Sequence, residues 1–257
     1  MLLFVILQLK PMLRIFLLFL FSLVLLTARN IDAEYRVEFG IFGEVAKVHA
    51  TLTSDHKYYS INATVVAVGS IAKTVTDNLK ERHISKGHIE RGLLVTDLYQ
   101  MIKSYGEYTN TTIYTVNHRK KSVTRHYKEW KQGVKIKDKK VTLGYYSKDD
   151  MLTLFLNLPK HIKEKYKSRH YTFKAVGADR RNGRVDMTVP SQKSLKKMGD
   201  LLGKVKEGDW YSTVVMHRKL YHSQKGELEV KMNKEGIVDK AVLKDLVFFG
   251  DVRIIRQ

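Results

Sequence analysis

The sequence predicts a mostly β (α+β) protein, built as a curved antiparallel sheet or open half-barrel of about ten strands wrapping a short buried helix. Many short segments alternate between apolar and polar residues, the period-two pattern of half-buried antiparallel strands. Few segments have helical spacing, and one of them, residues 147–158, is apolar on nearly every side. A helix without a polar face must be buried, most simply on the concave side of a curved sheet.

The N-terminal segment predicts export. Residues 13–26 form an apolar run with one Arg near its start, and the small residues Thr27, Ala28 and Ala33 follow. A basic start, an apolar core of roughly 7–15 residues and an alanine cleavage site are typical of a secretory signal peptide, whereas a spanning helix needs roughly 20 apolar residues. We expect a periplasmic protein of a Gram-negative cell, cleaved after Ala33 or alternatively after Ala28. An uncleaved segment that anchors the chain to the inner membrane is the other interpretation.

The length, charge and cysteine content constrain the part of the protein that follows the predicted signal peptide. A signal peptide at residues 1–33 leaves residues 34–257 of the 257-residue chain as one β domain. The leader carries three basic residues and one acidic residue, so the net charge falls only from +20 to +18. Such a charge attracts anionic lipid headgroups, lipopolysaccharide, acidic glycans or acidic proteins, or it simply keeps a solvated surface soluble. The chain has no cysteine, which excludes disulfides, thiol nucleophiles and cysteine metal sites.

The strand pattern begins with a hairpin. Tyr35, Val37 and Phe39 share one face, and Gly40 and Gly43 provide the turn. Similar alternation predicts further strands at residues 46–52, 59–67, 111–116, 122–127, 171–176, 185–189, 214–220, 228–232, 240–243 and 252–255.

Helical spacing occurs in three places. In residues 71–82, which precede Gly87, the core-facing side chains are spaced by about one helical turn. The same spacing occurs in residues 195–202, which follow Ser191. The clearest helix covers residues 147–158, where Ser147 and Asp150 form a capping box and Pro159 ends the run.

Known catalytic patterns are missing from the sequence. Asp149 and Asp150 are adjacent carboxylates, but their position at a helix start indicates capping and not acid–base catalysis. Ser-x-x-Lys occurs three times without the other motifs of serine acyl-transfer enzymes, and no nucleophile elbow, P-loop or dinucleotide fingerprint is present. We therefore predict no catalytic residue and no enzyme, with an enzyme acting on an envelope polymer as a minor alternative.

The ten histidines do not form a known metal motif. His83 and His88 are five residues apart, as are His217 and His222, and the His-Glu-x-x-His string is absent. On an extended segment this odd spacing puts the two rings on opposite faces. We predict neither a metal nor another cofactor.

Basic and aromatic residues interleave after the apolar helix. Export disfavours a nucleic-acid partner, so anionic lipid or glycan is the better ligand for this stretch, and a plain solvated connection is the alternative. A second basic turn is predicted around Lys135, Lys137, Lys139 and Lys140. The candidate anion-binding residues of the first stretch are Lys160, Lys163, Lys165, Lys167 and Arg169.

Several short strings resemble those of a bacterial periplasmic family, the domain of unknown function 3108 (DUF3108), in its epsilonproteobacterial version. These strings are residues 35–44, residues 59–63, the Ser-Lys-Gly at residues 85–87, residues 146–154 and residues 243–252. The resemblance implies an exported, single-domain, mostly antiparallel β protein with the capped helix as a landmark. It supplies no activity, ligand or catalytic residue. The implied architecture is similar to that of periplasmic lipoprotein carriers, whose open half-barrels wrap a helix and hold acyl chains.

Two functions follow as hypotheses. The first is a non-enzymatic periplasmic protein that binds an apolar or acyl-chain ligand between sheet and helix, although each lining residue could simply fill the core. The second is an envelope interaction or scaffold protein that docks its lysines on an anionic membrane surface, lipopolysaccharide or an acidic protein, with salt-sensitive binding. The candidate apolar lining consists of Tyr59, Ile61, Val65, Leu152, Phe155 and Phe173.

Overall fold

A single antiparallel sheet dominates the fold. The computed structural model describes residues 29–178, 180–215, 227–246 and 250–257. Within them, fourteen strands form one sheet. The strands are β1 (Asn30–Phe39), β2 (Glu44–Ser54), β3 (Tyr58–Ala67), β4 (Lys80–Glu90), β5 (Leu93–Tyr105), β6 (Tyr108–Asn117), β7 (Ser122–Lys131), β8 (Val134–Thr142), β9 (Arg169–Lys174), β10 (Arg184–Val189), β11 (Trp210–Val215), β12 (Glu227–Met232), β13 (Val238–Leu246) and β14 (Gly250–Arg256).

The sheet consists of two runs of hairpins joined at the chain ends. From one edge to the other its order is β8-β7-β6-β5-β4-β3-β2-β1-β14-β13-β12-β11-β10-β9. Strands β1 and β14 pair from Tyr35 opposite Arg256 to Phe39 opposite Val252. Among the described residues, β8 and β9 are the outer strands and do not pair with each other. The sheet is therefore curved and not closed.

Three α-helices accompany the sheet in the described ranges. They are α1 (Ser70–Val75), α2 (Met151–His161) and α3 (Gln192–Leu202), and short 3-10 turns lie at Gly40–Phe42 and Arg180–Gly183. No helix within the described ranges is long and apolar enough to span a membrane.

Helix α2 contacts both halves of the sheet. Leu154 and Leu158 pack with buried residues of β10 to β13 around Trp210. Leu152 packs with Tyr59 on β3 and also with residues of β5, β6 and β7. Only Thr153, Leu154, Asn157 and Leu158 of this helix are fully buried, and most of its other residues are half-buried. The expected buried helix is thus covered on one side, because the open sheet does not surround it.

The coarse fold prediction is confirmed, but its strand count was too low. The segment 71–82 was predicted as a helix, yet only Ser70–Val75 is helical. Asp77 and Asn78 have φ of 55° and 57°, which ends the helix and starts the turn into β4. Strands β4 and β5 were not predicted. The basic turn at residues 135–140 is in fact strand β8, nearly all of whose residues are exposed, so the apolar periodicity is missing.

The start and end of α2 differ from the prediction. Asp150, not Ser147, is the N-cap, and it forms the capping box with Thr153. Ser147 instead donates from Oγ to the carbonyl of Lys174 at 2.6 Å. Pro159 lies inside the last turn, and the helix continues to His161. Pro159 removes one backbone hydrogen bond and crowds the carbonyl four residues earlier, but so close to the end these effects are confined to the last turn.

The proposed leader lies largely outside the described residues, which begin at Arg29. Asn30 to Ala33 belong to β1, where Ala33 is buried and pairs with Ala50 of β2. Cleavage after Ala33 would remove these paired residues, whereas cleavage after Ala28 would leave β1 intact. The predicted strand at 214–220 is described only as far as Val215, where β11 ends.

A β-bulge shapes the start of β5. Lys86 pairs with Leu98 and Gly87 pairs with Thr96, so Asp97 is an extra residue without a partner on β4. A Cβ atom on Gly87 would lie 1.9 Å from the carbonyl oxygen of Val95. Only glycine fits opposite the bulge, and the bulge in turn directs the Asp97 side chain.

We expect Gly87→Ala to lower the free energy of unfolding by about 3 kcal/mol, because the added methyl group collides with backbone. Urea denaturation measures the change. Gly144→Ala is the matched control, since its Cβ would meet no atom within 4 Å; it should change stability by less than about 0.5 kcal/mol. Equal stability of the two variants would contradict the packing of the bulge.

Candidate functional site

A buried polar cluster fixes the start of α2 to the sheet. The Asp150 carboxylate accepts backbone N–H bonds from Leu152 at 2.7 Å and Thr153 at 3.0 Å. It also accepts hydroxyl bonds from Ser85 on β4 and from Thr96 on β5, the latter at 3.0 Å. The cluster therefore binds one helix and two strands through a single carboxylate.

Burial determines the electrostatics of this cluster. Asp150 has no exposed surface, and its burial raises the pKa of the carboxyl group, against the four hydrogen bonds that lower it. The Tyr59 hydroxyl lies 3.0 Å from the Ser85 hydroxyl, and burial likewise raises the pKa of Tyr59. The Asp150 side chain is thus fully buried and bonded as the N-cap of α2, in agreement with the capping role predicted for it.

The middle of α2 is held by a side-chain amide. Asn157 accepts from the backbone N–H of Leu94 at 3.0 Å and donates to the carbonyl of Leu94 at 2.9 Å. It also donates to Asp149 at 2.6 Å. One turn further, the Lys160 ammonium donates to the carbonyl of Gly92. The helix is thus tied along its length to the β4–β5 hairpin.

A cleft of about 660 Å³ opens beside this helix, and we call it the first cleft. Its apolar part is formed by Ile31, Ile89, Leu94, Leu156 and Ile237. Leu94 belongs to a buried cluster with Leu52, Tyr59 and Ile61, against which Ile31, Ile89 and Leu156 also pack. The polar part of the lining is Arg29, Asn30, Asp32, Ser54, Asp55, His56, Gly92, Asn157, Lys160, Glu235 and Arg256.

Most polar groups of the first cleft already have partners. Arg29 donates from its guanidinium to the carbonyl of Glu235 at 2.7 Å, and its backbone N–H donates to Ser54 at 3.1 Å. The backbone N–H groups of Tyr58 and Lys57 donate to Asp55, which lowers the pKa of this carboxyl group. The cleft therefore combines an apolar wall with a rim that carries both signs of charge.

A second cleft of about 470 Å³ lies between α3, β11 and the chain before β9. Its lining includes Tyr166, Leu195, Val205 and Trp210, with Lys165 at its side. Trp210 itself is almost fully buried at 1% exposure.

The predicted apolar lining separates into different clusters. Tyr59, Ile61 and Leu152 pack together in the N-terminal half of the sheet. Phe155 and Phe173 pack in the cluster of the C-terminal half, and Val65 belongs to neither. None of these six residues lines either cleft. The sequence missed Leu156, which lies one position beyond Phe155 on the helix face toward the first cleft.

The predicted cationic segment does not form one patch. Lys160 lines the first cleft, whereas Lys165 lines the second. Lys167 and Arg169 both bind the carboxylate of Glu164, each at 3.2 Å, which neutralises part of their charge.

One group of side chains has a composition suited to a metal. His88 on β4, Asp97 at the bulge of β5 and His118 after β6 place one ligand atom each within 4.8 Å of the others. Sequence spacing did not reveal this group, because hairpin register brings the three residues together. Of the two histidine pairs in which the sequence shows no metal motif, His217 and His222 lie outside the described residues.

Comparison with known proteins gives a fold and no family. No protein-family model and no curated protein matches this chain. A solved structure, of a β-barrel-like protein of domain of unknown function DUF1849 from Brucella abortus, is similar with a TM-score of 0.51 and 10% sequence identity. The similarity covers 90% of this chain and 98% of that one. At this identity it shows the barrel-like fold alone, and it overturns the resemblance to DUF3108, which was wrong.

The raised pKa of Asp150 predicts a pH dependence. A raised folded pKa means that this group stabilises the fold fully below its unfolded pKa of about 3.9 and loses that contribution as pH rises through the folded value. Asp150→Asn keeps the shape and the capping oxygen but cannot ionise. We expect its unfolding free energy, relative to wild type, to increase between about pH 4 and pH 7.

Urea denaturation of both proteins across this pH range measures the difference. Asp55→Asn is the control with a flat difference in this range, because the lowered pKa of Asp55 confines the pH dependence of its contribution to values below about pH 4. A pH-independent difference for Asp150→Asn would contradict the buried, titrating carboxyl group.

Proposed function

We propose that the protein is a non-enzymatic binding protein of the cell envelope, exported to the periplasm, that holds the apolar part of an acyl-chain amphiphile in the first cleft. The observation that carries the proposal is the division of the cleft into an apolar wall and a charged rim. The lining of the first cleft is mixed, with five apolar residues beside polar and charged ones. Ligand sites are commonly concave and have volumes of about 300–1,000 Å³. The volume of about 660 Å³ falls within this range.

The position of the cleft supports the same ligand. Its apolar wall continues into the buried cluster of Leu52, Tyr59 and Ile61, so an apolar chain entering it would extend existing packing. Its rim carries the Lys160 ammonium, which is bonded to a neutral carbonyl and keeps its charge for an anionic headgroup, whereas Arg256 is already paired with Asp239 at 3.3 Å. Burial of about five methylene groups would contribute about 4 kcal/mol, enough to make binding measurable together with such contacts.

We expect Leu156→Gln to weaken binding of a fluorescent fatty acid by about tenfold, because it places an amide on the apolar wall. Fluorescence titration of the purified protein measures the dissociation constant. Leu195→Gln is the matched control on the second cleft, and it should leave the constant unchanged. If only Leu195→Gln weakened fatty-acid binding, the ligand would bind in the second cleft and not in the first.

Native mass spectrometry with lipid extraction tests the ligand itself. The protein is purified from the periplasm of its own cells and measured under several mild conditions. A co-purifying acyl species that is reduced in Leu156→Gln supports the proposal. An apo mass throughout, with no fatty-acid binding in solution, rejects it.

A second candidate function is supported by one sheet surface, which we call the tyrosine–lysine face: Tyr105, Tyr108, Tyr127, Lys103, Lys131 and Lys137. Register places these residues on one face of β5 to β8. The rings of Tyr105 and Tyr108 stack with centroids 5.6 Å apart. Each tyrosine has a lysine ammonium over its ring at 5.4–5.6 Å. Such a surface suits an acidic glycan, because its sugar rings can contact the aromatic rings while the ammonium groups bind its anionic groups.

The pair of substitutions Lys131→Gln and Lys137→Gln tests this second function. We expect it to weaken binding to purified lipopolysaccharide about threefold to tenfold, and binding of wild type to fall as salt rises from about 50 to 500 mM. Removing the same charge with Lys165→Gln and Lys167→Gln is the control. Equal loss in both pairs would show that net charge, and not the tyrosine–lysine face, determines the binding.

A further inference from the structure

The cluster of His88, Asp97 and His118 differs from the other histidine–carboxylate contacts of the protein. His49 contacts Asp32 at 2.8 Å and His126 contacts Asp138 at 2.6 Å, and in each case only one imidazole meets the carboxylate. Within the part of the chain that the structure describes, the cluster is the one place where three potential ligands converge. Both of its imidazoles are directed at the same carboxylate.

The distances fit a shared metal ion. His88 Nδ1 lies 3.0 Å from Asp97 Oδ1 and 3.1 Å from Oδ2. His118 Nε2 lies 2.9 Å from Oδ1. Ligand atoms about 2.1 Å from a tetrahedral ion are about 3.4 Å apart, so the side chains need to separate by only a few tenths of an ångström to hold one. The same distances also allow direct hydrogen bonds. The contacts around the cluster and a binding experiment therefore distinguish a metal site from a hydrogen-bonded cluster.

Neighbouring groups hold Asp97 and His118 in a ligating orientation. Asp97 is the extra residue of the bulge opposite Gly87, and bulges direct side chains in this way next to functional sites. The Tyr146 hydroxyl lies 2.9 Å from His118 Nδ1, which leaves Nε2 toward Asp97. Metal-binding histidines usually have their second nitrogen bonded to an oxygen in this manner.

The cluster is also accessible to an ion. The side chains of His88, Asp97 and His118 are 35%, 44% and 26% exposed. Nearby, the Lys148 ammonium is paired with Glu90 at 2.5 Å, so this cation is compensated. A divalent ion can therefore reach the carboxylate without crossing the core.

We propose that His88, Asp97 and His118 bind a divalent first-row transition metal of the zinc type, with at least one coordination position left open to solvent. Two imidazoles and one carboxylate suit Zn²⁺, Co²⁺ or Ni²⁺, whereas Mg²⁺ and Ca²⁺ prefer oxygen ligands. Tyr146 is a positioning residue that acts through His118. This site is independent of the first cleft and of the tyrosine–lysine face.

Calorimetric titration with Zn²⁺ tests the site. The protein is purified without a histidine tag, treated with chelator and exchanged into metal-free buffer. We expect one ion per chain, and an affinity reduced at least about tenfold in His118→Ala and in Asp97→Ala. His49→Ala, which removes an imidazole from a simple pair, is the matched control and should bind as wild type does.

Further measurements separate ligation from misfolding. Each variant is compared with wild type by circular dichroism and metal-free thermal unfolding, and His88→Gln provides a third ligand deletion on another strand. Visible d–d absorption of the Co²⁺ protein, lost in the ligand variants and kept in His49→Ala, would support the site. Absence of Zn²⁺ binding at about 1 mM, or equal affinity in folded ligand variants, would overturn it and leave a hydrogen-bonded cluster only.

Discussion

The buried carboxylate of Asp150 is the constraint on which the fold depends. An ionised group without exposed surface is costly, and here two backbone N–H groups and two hydroxyls offset part of that cost, although burial still raises the pKa of Asp150. Because these donors come from β4, β5 and α2, the helix start can occupy one position only. Both halves of an open sheet then pack on that helix, which supplements the β1–β14 pairing between them.

The helix position determines where ligands can bind. Asn157 and Lys160 continue the attachment to the β4–β5 hairpin, so one long side of α2 is sealed against the sheet. The remaining side meets β1 and the loop before β13, where the sheet curvature leaves the first cleft. The same hairpin carries the Asp97 bulge, so one set of backbone constraints positions the helix, the cleft wall and the metal-ligand cluster.

Local patterns predicted the parts of the fold that depend on neighbouring residues. Alternation identified β3 and β10, and the apolar run identified α2, because burial of one face is visible along the chain. Register is not visible in this way. The bulge at Asp97 interrupts the alternation of β5, and the fully exposed β8 has none. For the same reason Phe155 and Leu152 were assigned to one lining, although the structure places them in separate clusters. The strings that resembled DUF3108 are mostly alternating strand residues, which many β proteins share.

The lysines on an outer strand of the sheet have a structural explanation as well as a functional one. An unpaired strand edge invites pairing with another chain, and lysine on an edge opposes it. Strand β8 carries Lys135, Lys137, Lys139 and Lys140 along such an edge. Protection from aggregation explains these lysines without any partner. It does not explain the stacked rings of Tyr105 and Tyr108, which lie two hairpins further in. Aromatic rings with lysines above them are therefore the part of this surface that argues for a ligand, whereas net charge alone does not.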